Sequence, residues 1–197
     1  MPNLDRTGIV YLLGAGPGKL DYLTVAAQQI LHQAQVLVYD ALVDGQLTQV
    51  IPLDCAQIDV GKRGGQPSTP QATINQILVE YCQQGKRVVR LKSGDPFIFG
   101  RCVAEIEALQ QANCAFEVVP GLSSALAAPL LAHIPLTDPV LSRSFTVLTA
   151  HEPGALNWAA LAQLDTLVIL MGTRHLATIL ERLQQGGRSP RTPIAMV

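Results

Sequence analysis

A recurrent unit constrains this chain more than any other feature: a short apolar run ends in a loop of glycine, proline or acid, and a segment with helical spacing follows. GIVYLL, residues 8–13, runs straight into Gly14-Ala15-Gly16-Pro17-Gly18. Thr24 then stands as an N-cap ahead of Ala27, Ile30, Leu31 and Ala34, which share one helical face. The run Val36 to Tyr39 ends at Asp40, and Ile58 to Val60 leads into GKRGGQPSTP. Ile74, Ile77, Leu78 and Tyr81 repeat at three and four residues, and Gly85 closes that helix. Arg87 to Leu91 ends in Ser93-Gly94-Asp95-Pro96, a helix near 100–111 follows, and Phe116 to Val119 ends in Pro120-Gly121. Apolar strands separated by amphipathic helices can bury both of their faces only in a parallel sheet covered on each side, so the fold class is α/β.

Pro120-Gly121 breaks the rhythm and marks the expected domain boundary, with residues 1–119 before it and 120–197 after it. Beyond it the spacing predicts a small-residue helix over Ser123 to Ala132, strands over Ser144 to Thr149 and Thr166 to Leu170, and a helix from about His175 to Gln185. A last strand is expected over Pro193 to Val197. Ligands of open parallel sheets bind at the carboxyl ends of strands. The unusual loops of this chain fall at those ends: Gly14–Gly18, Asp40, Gly61–Gly65, Ser93–Pro96 and Met171-Gly172.

Composition narrows the function classes. With 48% hydrophobic and 15% charged residues in a chain of 197, the sequence is that of a folded protein. A net charge of -1 argues against coating nucleic acid or membrane through an overall field. The polar start, MPNLDRTG, is not a signal or transit peptide, and the longest apolar stretch, Leu126 to Leu136, is interrupted by Pro129, His133 and Pro135. A cytoplasmic protein that spans no membrane is expected. Cys55, Cys82, Cys102 and Cys114 lack the spacing of a zinc site, and His32, His133, His151 and His175 share no spacing either, so no metal is assigned.

The near-neutral total conceals an uneven distribution. Residues 60–101 carry seven Lys and Arg against two Asp and Glu: Lys62, Arg63, Lys86, Arg87, Arg90, Lys92 and Arg101 against Glu80 and Asp95. Lys86 and Arg87 lie in the polar turn QQGKR and read as a solvated face. Lys62, Arg63 and Arg101 sit among glycines, where a loop brings backbone amides and cations together onto carboxylates or phosphates. The first glycine loop, with Asp40 downstream, imitates a dinucleotide-binding unit. It fails in detail, because the third glycine of that fingerprint would fall at Lys19 and Pro17 has no amide hydrogen for a pyrophosphate.

GAGPG, VLVYDALV, VGKRGG, RVVRLKSGDPFIFGR, VVPGLSSA, IPLT and LVILMG occur here in that order, and with them the chain resembles the tetrapyrrole (class III) methylases over nearly all of residues 8–197. The resemblance implies a homodimer whose subunits have two α/β domains, with S-adenosyl-L-methionine in the cleft between them. It implies two methyl transfers to pyrrole carbons of uroporphyrinogen III, giving precorrin-2 for sirohaem and cobalamin, with S-adenosyl-L-homocysteine as by-product. Carried over by motif, it places Pro17, Ser93, Gly94, Asp95, Ile98, Ser123, Ser124, Met171 and Ala195 at the cofactor. Asp40 matches the family's proton acceptor and Lys62 its proton donor, while Arg63 and Arg101 would orient the substrate's carboxylate arms.

Each of these residues also has a plainer reading. Asp40 can be a turn aspartate after a strand, Lys62 a carboxylate clamp, and Met171 core filler at a strand end. The chain departs from the family pattern at Ser93, usually Gly, at Cys102-Val103-Ala104-Glu105, usually a glycine and paired glutamates, at His133, usually Gly, and at Asp138-Pro139. The family's second domain continues beyond PIAMV, so the second domain here is expected to be incomplete. Two other readings stay open: a superfamily relative acting on a precorrin, ribosomal RNA or a protein, and a non-catalytic binding remnant.

Overall fold

The computed structural model describes residues 8–40, 50–61 and 69–197. These residues form two compact units, one up to Ser124 and the other from Ala125. Among the described residues no helix is long and apolar enough to cross a membrane.

The first unit is built on a five-stranded sheet of order β3-β2-β4-β1-β5, comprising β1 (Ile9–Gly14), β2 (Val36–Tyr39), β3 (Ala56–Asp59), β4 (Arg87–Lys92) and β5 (Ala115–Val119). Every neighbouring pair is parallel, with Leu13 opposite Leu91 and Val119, and Tyr39 opposite Leu91 and Asp59. Strand β4 therefore returns between β1 and β2, which puts the carboxyl ends of β1, β2 and β4 on one edge of the sheet.

Alternation of side chains along each strand makes two separate cores. On one face Tyr11, Leu13, Leu37, Val89 and Leu91 pack with Ala27 and Leu31 of α1 (Val25–Leu31). On the other, Val10, Leu12, Val36, Val38 and Val88 pack with Ile74, Leu78 and Cys82 of α2 (Gln71–Gln83) and with Cys102 and Leu109 of α3 (Cys102–Gln111). Burying a leucine such as Leu78 or Leu109 completely is worth about 1.5–3 kcal/mol, and both are 0% exposed.

The helix boundaries follow from local chemistry. Thr24 caps α1 as its spacing predicts, its Oγ1 accepting the Ala27 amide at 3.1 Å. Gly85 ends α2 with a φ of 75°, and the Lys86 amide turns back to the Tyr81 carbonyl at 3.1 Å. Asn113 does the same for α3 at a φ of 52°, with the Cys114 amide on the Leu109 carbonyl at 2.9 Å.

The second unit contains most of α4 (Ser124–Leu131), a parallel pair β6 (Phe145–Thr149) and β7 (Thr166–Leu170), then α5 (Trp158–Leu161) and α6 (Leu176–Gln185). Its core is Ala150, Trp158, Ala162, Ile179 and Leu183. The short helix α5, capped by Asn157 Oδ1 on the Ala160 amide at 3.2 Å, carries too few residues to show a period in the sequence. The strand expected over Pro193 to Val197 does not form: among the described residues these have no ladder partner, and Ile194, Met196 and Val197 are exposed.

Candidate active site

At the carboxyl ends of β1, β4 and β5 three glycines bring their backbones into direct contact. A Cβ on Gly121 would lie 2.2 Å from the Gly94 carbonyl oxygen and 2.7 Å from the Gly14 Cα, and a Cβ on Gly14 would lie 2.5 Å from the same oxygen. No side chain fits at either position. Gly16 and Gly94 form an antiparallel bridge, with N–H to O distances of 3.1 and 2.9 Å. Gly94 also needs a φ of 69°. The loops GAGPG and SGDP are thus zipped together by main chain alone, with Pro17 and Ser93 exposed beside the zipper.

Asp95 locks this arrangement. Its Oδ1 accepts the Phe97 amide at 2.9 Å and its Oδ2 accepts the Gly121 amide at 3.2 Å, tying the loop after β4 to the chain leaving β5. The segment Phe97-Ile98-Phe99 then runs across the surface, all three side chains exposed. Gly100 is forced by its neighbours, since a Cβ there would lie 2.3 Å from the Pro96 carbonyl oxygen.

Among the described residues five non-glycine residues have positive φ, and two of these, Asn113 and His133, terminate helices. The other three are Phe99 (54°), Arg101 (54°) and Met171 (56°). A left-handed backbone costs a non-glycine residue about 1–2 kcal/mol and collects at functional sites. All three belong to the segments singled out from the sequence. Arg101 is exposed at the start of α3, and Met171, 55% exposed, follows β7 beside the buried Gly172.

Below the loops lies a chain of four charges. Glu105, 0% exposed on α3, accepts Nε of Arg90 at 2.9 Å and holds Nζ of Lys92 at 2.8 Å from each carboxylate oxygen. Arg90 also donates from one Nη to the Leu91 carbonyl at 3.1 Å and from the other to Asp40 Oδ1 at 2.7 Å. Arg90 and Lys92 alternate on β4 on the face that α3 covers, and Asp40 ends the adjacent strand β2. Burying two cations in this way is tolerable only because carboxylates and a carbonyl satisfy them. Arg90 and Lys92, two of the seven cations that make residues 60–101 basic, are not presented to an anionic ligand: both are 3% exposed and paired with carboxylates inside the fold.

The structure gathers Pro17, Ser93, Gly94, Asp95 and Ile98 around the zippered loops, with Asp40 at the end of β2. Ser123, buried, and Ser124, half-buried, follow Gly121, and the Cα of Ser123 and the Ser124 amide nitrogen lie 3.9 Å from where a Cβ on Gly94 would stand. In the second unit, Met171 follows β7 and Ala195 lies in the exposed carboxyl-terminal segment. Lys62 and Arg63 lie outside the described residues. The residues missed by sequence reasoning are Glu105 and its two cations. A strand carrying two cations two residues apart within a parallel sheet was the available signal, because a covering helix must then supply an anion.

The model of the tetrapyrrole (corrin/porphyrin) methylases matches residues 9–197, and the chain belongs to that family. It is 63% identical over 191 residues to the uroporphyrinogen-III C-methyltransferase of Synechococcus elongatus, covering 97% of this chain and 79% of the relative. It is 46% identical to the siroheme synthase of Edwardsiella ictaluri, of which it spans 42% while 98% of this chain is covered. Among solved structures, the uroporphyrin-III C-methyltransferase of Thermus thermophilus complexed with S-adenyl homocysteine superposes with a TM-score of 0.80 at 36% identity, covering 93% of this chain and 79% of that one.

Proposed function

We propose that this chain is an S-adenosylmethionine-dependent C-methyltransferase that converts uroporphyrinogen III to precorrin-2 by methylating two pyrrole carbons. The family, the 63% identical methyltransferase and the neighbouring structure complexed with S-adenyl homocysteine support the reaction and its methyl donor. The structural observation that carries the reading is the zipper of Gly16 on Gly94, locked by Asp95 to Gly121 at the carboxyl ends of three parallel strands. That floor of bare backbone, with Pro17, Ser93 and Ile98 exposed beside it, fits a small ligand that binds through main-chain polar groups.

S-adenosylmethionine supplies an electrophilic methyl group on sulfur. The chain's residues must hold a pyrrole carbon in line with that group, and such positioning is worth on the order of 7–11 kcal/mol. Forming the carbon–carbon bond while the sulfur–methyl bond breaks would release S-adenosylhomocysteine and leave positive charge on the macrocycle, which loss of a proton removes. Asp40 is the acceptor in this reading, or the anion that stabilises the charge, and its carboxylate is oriented by Arg90 at 2.7 Å. Pro17, Ser93, Gly94, Asp95, Ile98, Ser123, Ser124, Met171 and Ala195 hold the cofactor. Lys62 donates a proton or clamps a carboxylate, and Arg63 and Arg101 orient the acetate and propionate arms.

The roles divide along the chain as proposed domains, residues 1–119 carrying the substrate loops with part of the cofactor site and 120–197 the remainder. The enzyme acts as a homodimer in this reading, consistent with the exposed apolar side chains Leu130 and Leu131 on α4 and Val140 and Leu141. Anaerobic incubation with uroporphyrinogen III and S-adenosylmethionine tests the reaction: it should yield a dimethylated macrocycle that fluoresces on oxidation. No product from protein that binds S-adenosylhomocysteine would remove the catalytic reading and leave the binding remnant.

A further inference from the structure

We propose that Glu105 is a positioning residue for methyl transfer, acting through Arg90 on Asp40. The proposal rests on the reading of Asp40 given above. Glu105 is 0% exposed, it reaches both buried cations of β4, Arg90 and Lys92, and one of its oxygens fixes the Nε side of the same guanidinium whose Nη side holds Asp40. A guanidinium is planar and rigid, so anchoring Nε sets the direction in which the far nitrogen donates. The Leu91 carbonyl holds the remaining nitrogen at 3.1 Å, which leaves Arg90 no alternative rotamer that keeps its partners. The Asp40 side chain is 30% exposed and follows the last residue of β2, and among the described residues Arg90 is the cation that holds its carboxylate.

Glu105 also explains how β4 carries two buried cations. The four charges Asp40, Arg90, Glu105 and Lys92 balance, with Glu105 as the only described group touching both cations. Lys92 precedes the Ser93-Gly94-Asp95 loop, and its carbonyl accepts the Ala15 amide at 2.7 Å. One carboxylate on α3 thus ties the candidate base to the strand that feeds the cofactor loop. Displacing a reacting group by about 1 Å can cost a hundredfold in rate, so loss of this tether is a kinetic event even where the fold survives.

The test replaces Lys92 and Glu105 together, as Lys92→Met with Glu105→Leu, because exchanging a buried ion pair for apolar residues of similar size is usually tolerated. Steady-state turnover and the KM for S-adenosylmethionine are measured for this pair and for Lys92→Met alone, each with Asp40 and with Asp40→Asn, and for Asp40→Asn by itself. Affinity for S-adenosylhomocysteine reports folding. Turnover of the pair should lie roughly ten- to hundredfold below that of Lys92→Met, with KM for the methyl donor within about twofold. In the Asp40→Asn background the Glu105→Leu step should change turnover by less than about twofold, since the two residues act as one unit. Glu105→Gln, which leaves one acceptor oxygen for Arg90, should fall between. Equal turnover of the pair and Lys92→Met, or the same fold loss in both backgrounds, overturns the proposal. An Asp40→Asn enzyme that turns over like the wild type instead removes the underlying reading of Asp40.

Discussion

Arg90 reaches across the sheet to Asp40: one Nη donates to Oδ1 at 2.7 Å, joining the middle of β4 to the residue that follows β2. The same guanidinium is held by Glu105 at 2.9 Å, so its orientation is fixed from both sides. Arg90→Lys keeps the charge and loses the fork, because an ammonium is a point donor on a flexible stem. This variant should fold and bind S-adenosylhomocysteine while its turnover falls by roughly tenfold or more. Steady-state kinetics with a thermal melt check this, and full turnover would contradict it.

The contact between Gly121 and Gly94 predicts a second outcome. A Cβ on Gly121 would stand 2.2 Å from the Gly94 carbonyl oxygen, a backbone atom that cannot step aside. Gly121→Ala should destabilise the protein by about 1–3 kcal/mol or more and weaken S-adenosylhomocysteine binding at least tenfold. Gly154→Ala meets nothing within 4 Å and should stay within about 0.5 kcal/mol of the parent. Denaturant titration and calorimetry on both variants measure these effects.

Much of the first unit was legible in the residues, because its strands are apolar runs and its helix stops carry their own signals, Thr24 before α1 and Gly85 after α2. The zippered loops stood out in the sequence as glycine loops at the carboxyl ends of strands, but their pairing with each other did not. The charge chain was not, although Arg90, Lys92 and Glu105 were in plain view. Reading them required the strand order, which sets β2 and Asp40 against β4, and the face on which α3 lies. Residues 193–197 were misread for a related reason. Their apolar content resembles a strand, but a strand needs a ladder partner, which a local pattern does not supply.

His133 ends α4 at a φ of 57°, with the Ile134 amide on the Pro129 carbonyl at 2.9 Å. This is a helix stop that glycine fills without strain, as Gly85 and Gly187 do at 75° and 98°. His133→Gly should raise stability by up to about 1 kcal/mol, the relief of left-handed strain exceeding the added freedom of the unfolded chain. An unchanged or lower denaturation midpoint would count against strain at this residue.

The buried thiols give a pH dependence. Burial pushes the Cys102 thiol up from 9.0 to about 11, with Glu105 adding to the effect, and burial followed by the neighbouring Cys114 pushes Cys82 up to about 12. Both thiols are protonated in the fold at pH values where the unfolded chain already ionises, so the unfolded state binds fewer protons above pH 9. Stability should therefore be full below about pH 9 and fall toward pH 11, with each thiol contributing at most about 1.4 kcal/mol per pH unit. Cys102→Ala should flatten that decline in denaturant melts. An identical slope would show that the thiol's environment is not the cause.

Carbon methylation of a tetrapyrrole is measured most directly by transfer of a labelled methyl group. Protein, uroporphyrinogen III and methyl-labelled S-adenosylmethionine are incubated without oxygen, and the label is located by nuclear magnetic resonance on the isolated macrocycle. The expected result is label on two ring carbons, with one S-adenosylhomocysteine released per methyl group and strong loss of transfer in Asp40→Asn. Label absent from the macrocycle, or present only as base-labile ester on its carboxylates, would contradict the assignment.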